Sequence, residues 1–160
     1  MATAERVIER TPAVEWLEHV RHCAARVAVL APEIQGLEYA RNNMLPWQVS
    51  GSGGGSAGMH SDPTATQAHA RIEGLEKMIA EKTDEFEHAG KVVGGCLRML
   101  EDMSRELGGR YSRVIELYYI DQAETWTDVA WEMGRHRDTI LAWRKKSVAW
   151  IDKNSARFLL

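Results

Sequence analysis

Residues 110–152 read RYSRVIELYYIDQAETWTDVAWEMGRHRDTILAWRKKSVAWID, and this stretch decides the fold. Three helical segments can be laid along it. The first runs from about Arg110 to Ile120, with Val114, Ile115, Leu117 and Tyr118 spaced to enter a core. Asp121-Gln122-Ala123-Glu124 then forms a polar turn. A second helix starts after Thr125. Thr125 and Asp128 have the spacing of a capping box, in which each side chain satisfies an amide at the other's position. Val129, Ala130 and Met133 give this helix an inner face. Gly134 stops it, because a tight turn between helices calls for a residue that accepts positive φ. The third helix spans about Arg137 to Asp152, with Ile140, Trp143, Val148 and Ile151 facing inward.

That spacing leaves Arg137, Asp138, Leu141, Ala142, Arg144 and Lys145 pointing outward, with Thr139 in the same face set. Two helices joined by a glycine turn, the second of them basic, form the pattern of a helix-turn-helix. In that motif the N-terminal residues of the second helix reach base edges in the major groove. Arg137 can donate two bonds to guanine, and Asp138 can accept from cytosine. Arg144, Lys145 and Lys146 suit phosphates, which give affinity without sequence information. Arg135 and His136 sit at the helix entry, where the positive helix end also favours a phosphate. The partner expected from this pattern is double-stranded DNA.

Charge supports that expectation despite a net −3 for the 160 residues. Residues 134–153 carry six basic side chains (Arg135, Arg137, Arg144, Lys145, Lys146, Lys153) against Asp138 and Asp152. The segment is therefore +4, which leaves −7 for the other 140 residues. A basic segment in an acidic chain is the footprint of a nucleic-acid site on one element.

The segment resembles region 4 of bacterial sigma-70 factors. The resemblance is carried by RVIELYY (113–119), TWTDVA (125–130), Met133-Gly134 and the basic helix. The whole layout resembles phage-encoded proteins of this region-4-like kind, including late transcription activators of the RinA and ArpU families. The resemblance implies a transcriptional regulator, with RNA polymerase as a second possible partner. Leu141 and Ala142 depart from it, standing where such proteins commonly place Arg and Gln. Apolar groups there can touch a thymine methyl but read little else, so any promoter preference should differ from that of a housekeeping sigma factor.

Upstream, Thr11-Pro12 is a good helix start, and Leu17, Val20, Ala24, Val27, Ala31, Ile34 and Leu37 recur at helical steps to about Asn42. Pro32 is a candidate kink or break. Residues 43–66 form a loop around a Gly/Ser run at 51–58. From 67 to 107, Ile72, Leu75, Ile79, Phe86, Ala89, Val93, Leu100, Met103 and Leu107 fall near a seven-residue repeat, weakened at Gly94-Gly95. The two long helices suggest an antiparallel hairpin, and the same stripe suits pairing with a second chain. Gly108-Gly109 opens the last unit, 108–160. The expected fold is all-α: a long helical hairpin or coiled coil, then a C-terminal three-helix helix-turn-helix domain. A homo-oligomer is expected, a dimer first, because paired chains match paired half-sites.

Other chemistries are poorly served. Gly53-x-Gly55-x-x-Gly58 matches a dinucleotide fingerprint in letters, yet no strand precedes it, so it reads as linker. His19 and Cys23 have helical ligand spacing without a second pair, and Cys96 reads as a small core residue. No metal, no cofactor and no catalytic set is expected, and hence no enzyme. No apolar run approaches a membrane span and residues 1–10 hold no apolar leader, so a bacterial cytoplasm is the expected location. Trp126 and Trp143 are expected in the core, whereas Trp131 or Trp150 is a candidate partner surface. Two other functions fit the same pattern: the small subunit of a phage DNA-packaging terminase, and an RNA polymerase-binding module with weak DNA binding.

Overall fold

The computed structural model describes residues 10–49 and 63–158, and side chains within 10–44 and 65–158. Among the described residues the chain is all-helical, without strands. The helices are α1 (Pro12–Val49), α2 (Pro63–Glu106), α3 (Gly109–Ile115), α4 (Trp126–Met133) and α5 (Arg137–Phe158). A π-helical turn, Glu116–Ile120, extends α3. No helix among the described residues is long and apolar enough to cross a membrane.

Local chemistry explains where the helices begin. Thr11 Oγ1 accepts from the Val14 amide at 3.4 Å and the Thr11 carbonyl from Glu15, so proline at the first helical position wastes no donor. α1 runs unbroken through Pro32, and α2 through Gly94-Gly95. Once a helix is nucleated each further residue adds a bond, so isolated weak residues are carried through. For the same reason α1 reaches Val49 and α2 starts at Pro63, which makes the expected 43–66 loop too wide. The Gly53–Gly58 motif lies outside the described residues. α5 continues six residues past the expected Asp152.

Contacts group the chain into two units, 1–26 with 89–160, and 27–88. In the second unit, Leu30 and Ile79 are buried, and Lys82 Nζ bonds Glu33 Oε2 at 2.6 Å. Ile34, Leu37, Ile72, Leu75 and Phe86 are half-buried.

The first unit holds the larger core. Ala13, Leu17 and Val20 of α1 meet Cys96, Met99, Leu100 and Met103 of α2, together with Tyr111, Ile115, Tyr119 and Ile151. The start of α1 and the end of α2 therefore cover the C-terminal helices. The Asp152 carboxylate accepts from the Ala13 amide at 3.1 Å, which ties α5 to the free first turn of α1. Arg21 of α1 donates to the Tyr118 carbonyl and, at 3.0 Å, to the Ala123 carbonyl. Gln122, in a left-handed backbone conformation (φ 64°), returns the link by donating to the Arg21 carbonyl at 3.0 Å and the Tyr119 carbonyl at 3.1 Å. Those two bonds offset the strain of a non-glycine residue in that region. Cys96 is fully buried, and burial first and Glu116 second push its thiol up to about 12, so it is inert packing.

At the far end of α5, Glu106 accepts from Trp150 Nε1 and from Arg157 Nη1, both at 3.1 Å. The Arg157 bond, helped by Trp150, outweighs desolvation and holds the carboxyl below its usual range.

Two outcomes follow from this core. Leu17→Ala should cost about 2–5 kcal/mol in urea unfolding, and near-ultraviolet dichroism of the C-terminal aromatics should be lost in the same transition. Glu106 favours the fold above the ordinary carboxylate pKa, and that contribution is lost as pH falls through the lowered value. The stability gap between wild type and Glu106→Gln should therefore shrink on acidification, as read by thermal unfolding at a series of pH values.

Candidate nucleic-acid interface

α4 is defined at both ends by side-chain and backbone chemistry. Thr125 is extended (φ −135°, ψ 162°), and its Oγ1 accepts from the Asp128 amide at 3.1 Å. Asp128 Oδ2 accepts from the Thr125 amide at 2.9 Å, closing the capping box. At the other end Gly134 is left-handed (φ 61°, ψ 38°). Its amide bonds the Trp131 carbonyl at 3.1 Å, and the Arg135 amide bonds the Ala130 carbonyl at 3.0 Å. That paired arrangement is a Schellman ending, which only a residue free of the Cβ penalty enters cheaply.

Three residues, Gly134-Arg135-His136, separate α4 from α5. The His136 carbonyl accepts from the Ile140 amide at 3.1 Å, so the amides of Arg137, Asp138 and Thr139 have no partner within α5. α5 packs on α3 and α4 through a second cluster of Val114, Leu117, Val129, Ala130 and Ile140.

The buried stripe of α5 is Ile140, Arg144, Ser147 and Ile151, at steps of four, three and four. Trp143 and Val148 are half-buried at its edges. The single Ser147 hydroxyl proton is shared between the carbonyls of Tyr111, at 3.0 Å, and Trp143, at 2.9 Å. The opposite face presents Asp138, Ala142, Lys145 and Ala149 to solvent.

This roll corrects one expectation. Arg144, read as an outward phosphate ligand, is 8% exposed. Its Nη2 lies 3.1 Å from the Tyr119 hydroxyl and its guanidinium 4.7 Å from the Trp126 ring centre. The spacing that made Trp143 and Val148 central placed the inner face one side too far. Two aromatic partners contributed from elsewhere in the chain make the buried position tolerable for a cation. Burial raises the Tyr119 pKa, and Arg144 offsets part of that rise.

The other nine expected residues are distributed as follows. Arg135, His136, Arg137, Asp138, Ala142, Lys145 and Lys146 are exposed, and Thr139 and Leu141 are half-buried. Among the described residues, the side chains of Arg135, Arg137 and Lys145 make no hydrogen bond or ion pair. Lys146 differs, its ammonium standing 5.2 Å over the Tyr111 ring. Arg137 and Lys145 thus stand on α5 as free cations, with Arg135 on the preceding turn.

Trp150 is half-buried and engaged with Glu106, whereas Trp131 is exposed. Beside it lies an open hollow lined by Thr127, Ala130, Arg135, His136 and Arg137. On α1, Cys23 Sγ lies 3.6 Å from His19 Nε2, and among the described residues no group of three His, Cys, Asp or Glu side chains could hold a metal ion.

The chain matches no protein-family model, and it finds no significant match among curated proteins or among solved structures.

Tyr119→Phe removes the one hydroxyl that Arg144 bonds, while the buried Arg144 Nε already has no partner. The change should cost about 1–3 kcal/mol in urea unfolding. Arg144→Met, which keeps the volume, should shrink the cost of Tyr119→Phe in the same unfolding series, because it already removes the bond that the hydroxyl makes.

Proposed function

We propose that this protein is a sequence-specific DNA-binding transcriptional regulator of phage or prophage origin, with α4 and α5 acting as a helix-turn-helix. The observation that carries the reading is the set of unpartnered cations Arg135, Arg137 and Lys145, exposed around a glycine-ended turn and the helix that follows it. Free cations gathered at one turn and along the helix after it suit a polyanion, since each phosphate they neutralise releases condensed counterions. α5 would enter the major groove by its first turns, with Arg137 and Asp138 reaching base edges. Arg135, His136 and Lys145 would hold phosphates on either side. The half-burial of Leu141 leaves fewer base-reading groups than the sequence implied, which places more weight on Arg137.

In this reading the α1 and α2 segments between 27 and 88 pair two chains, so that two α5 helices meet two half-sites one turn of DNA apart. The phage origin and a contact with RNA polymerase rest on the resemblance to sigma factor region 4. The bacterial cytoplasm is the corresponding location, and no catalytic role is assigned.

Selection of fragments of the source genome by the full chain across a salt series tests the reading. Enrichment of a site upstream of a gene block, with affinity falling steeply in salt, is the expected result. Enrichment beside packaging genes by a ring-sized oligomer would favour a terminase small subunit instead. Retention of RNA polymerase without salt-dependent DNA binding would favour the polymerase-binding module. On the selected site, Arg137→Ala should weaken binding by about 1–3 kcal/mol and affect random DNA less. Lys145→Ala should weaken both alike. Equal losses from both variants on both DNAs would remove Arg137 from the base-reading role.

A further inference from the structure

Trp131 is 86% exposed, the most exposed of the large apolar side chains among the described residues. The other tryptophans of the C-terminal helices are half-buried and engaged: Trp126 stacks on Tyr118, Trp143 meets Tyr111 edge-on, and Trp150 bonds Glu106. Trp131 has no comparable ring contact, and α4 buries Val129 and Ala130 without it. An indole left in water beside a hollow is a surface suited to a partner.

The chemistry of the hollow selects the partner. Its charged lining is basic (Arg135, Arg137, with His136 between them), and no carboxylate lines it. Neither arginine side chain is paired among the described residues. An aromatic plate flanked by free guanidinium groups matches a deoxyribose-phosphate strand: sugar carbons pack on the ring while phosphates meet the cations. Arg137 belongs both to this hollow and to the first turn of α5. The hollow therefore adjoins the end of α5 that would enter a groove.

Resting on the DNA-binding reading, we propose that Trp131 and Arg135 grip the sugar-phosphate strand that borders the groove entered by α5. Trp131 supplies apolar contact that fixes the depth and register of α5, and it carries no base preference of its own.

The test measures binding of the full chain to a fluorescein-labelled mixed-sequence DNA duplex of about three helical turns, by anisotropy at several salt concentrations. Trp131→Ala should bind about tenfold more weakly with an unchanged salt slope, because the indole holds no charge. Arg135→Ala should lower the slope by about one. Iodide quenching should show a tryptophan protected by DNA in the wild type and absent from Trp131→Phe. The exposure of Trp131 and of Arg135 predicts unaltered thermal unfolding for all three variants, so a binding loss is not a folding loss.

If the wild type binds with steep salt dependence and Trp131→Ala binds equally well, the grip is overturned while the DNA-binding reading stands. Loss of co-purifying RNA polymerase in Trp131→Ala, with DNA binding intact, likewise overturns it and assigns the hollow to a protein. If the wild type shows no salt-dependent DNA binding, both the grip and the reading fall.

Discussion

A guanidinium inside an apolar core normally requires a carboxylate, and Arg144 has none; it is held by rings and a hydroxyl. Its guanidinium lies against Trp126, Trp126 stacks on Tyr118 with centres 4.0 Å apart, and Arg21 lies 4.2 Å from the Tyr118 ring centre. Tyr119, next in sequence, bonds Arg144 directly. This series of contacts joins α1, the π-helical turn, α4 and α5. Each cation–ring contact contributes about 0.5–2 kcal/mol, more where water is excluded, and the contacts share partners, so they support one another. The roll of α5 depends on them. With Arg144 turned inward, Asp138, Ala142 and Lys145 must turn outward, and the face offered to a ligand is thereby chosen.

What the sequence disclosed was the chemistry that acts within a few residues. The Thr125–Asp128 box, the left-handed glycine at 134 and the Thr11-Pro12 helix start all follow from local hydrogen bonding, and each stands where the spacing placed it. Helix type was equally legible, since apolar residues at steps of three and four admit little else. Arg144 was not legible, because a charged residue is assigned to solvent unless its distant partners are known. Tyr119 lies 25 residues away and Arg21 more than a hundred. The enclosure of the C-terminal helices by Ala13, Leu17 and Val20 was hidden for the same reason, since periodicity reports a buried face but not what covers it. The exposure of Trp131 was left open between two tryptophans, and the Glu106 bond to Trp150 separates them in space.

On the proposed reading, affinity and discrimination are divided between different side chains. The free cations around the turn would supply attraction to any duplex, and Arg137 with Asp138 most of the preference among sequences. A chain of net charge −3 gains little long-range attraction to DNA, so contact depends on this one face arriving correctly oriented. That dependence makes the rigidity of the α4–α5 turn matter more than the overall charge. The capping box and the Schellman ending supply that rigidity through backbone and short side-chain hydrogen bonds, leaving the Arg135 and His136 side chains exposed.

The π-helical turn at Glu116–Ile120 has a wider consequence. Its wide turn, marked by the Asp121 amide reaching the Glu116 carbonyl at 2.9 Å, lodges one residue more than an α-helix would. Each residue of helix advances the direction of its successors by about 100°, so this surplus residue sets the angular phase of the chain that follows. Shortening the segment by one residue would restore an ordinary helix and swing Tyr118 and Tyr119 away from their partners. A length change of one residue here would therefore be felt throughout the helices that follow, and length variation should be tolerated least in these five positions.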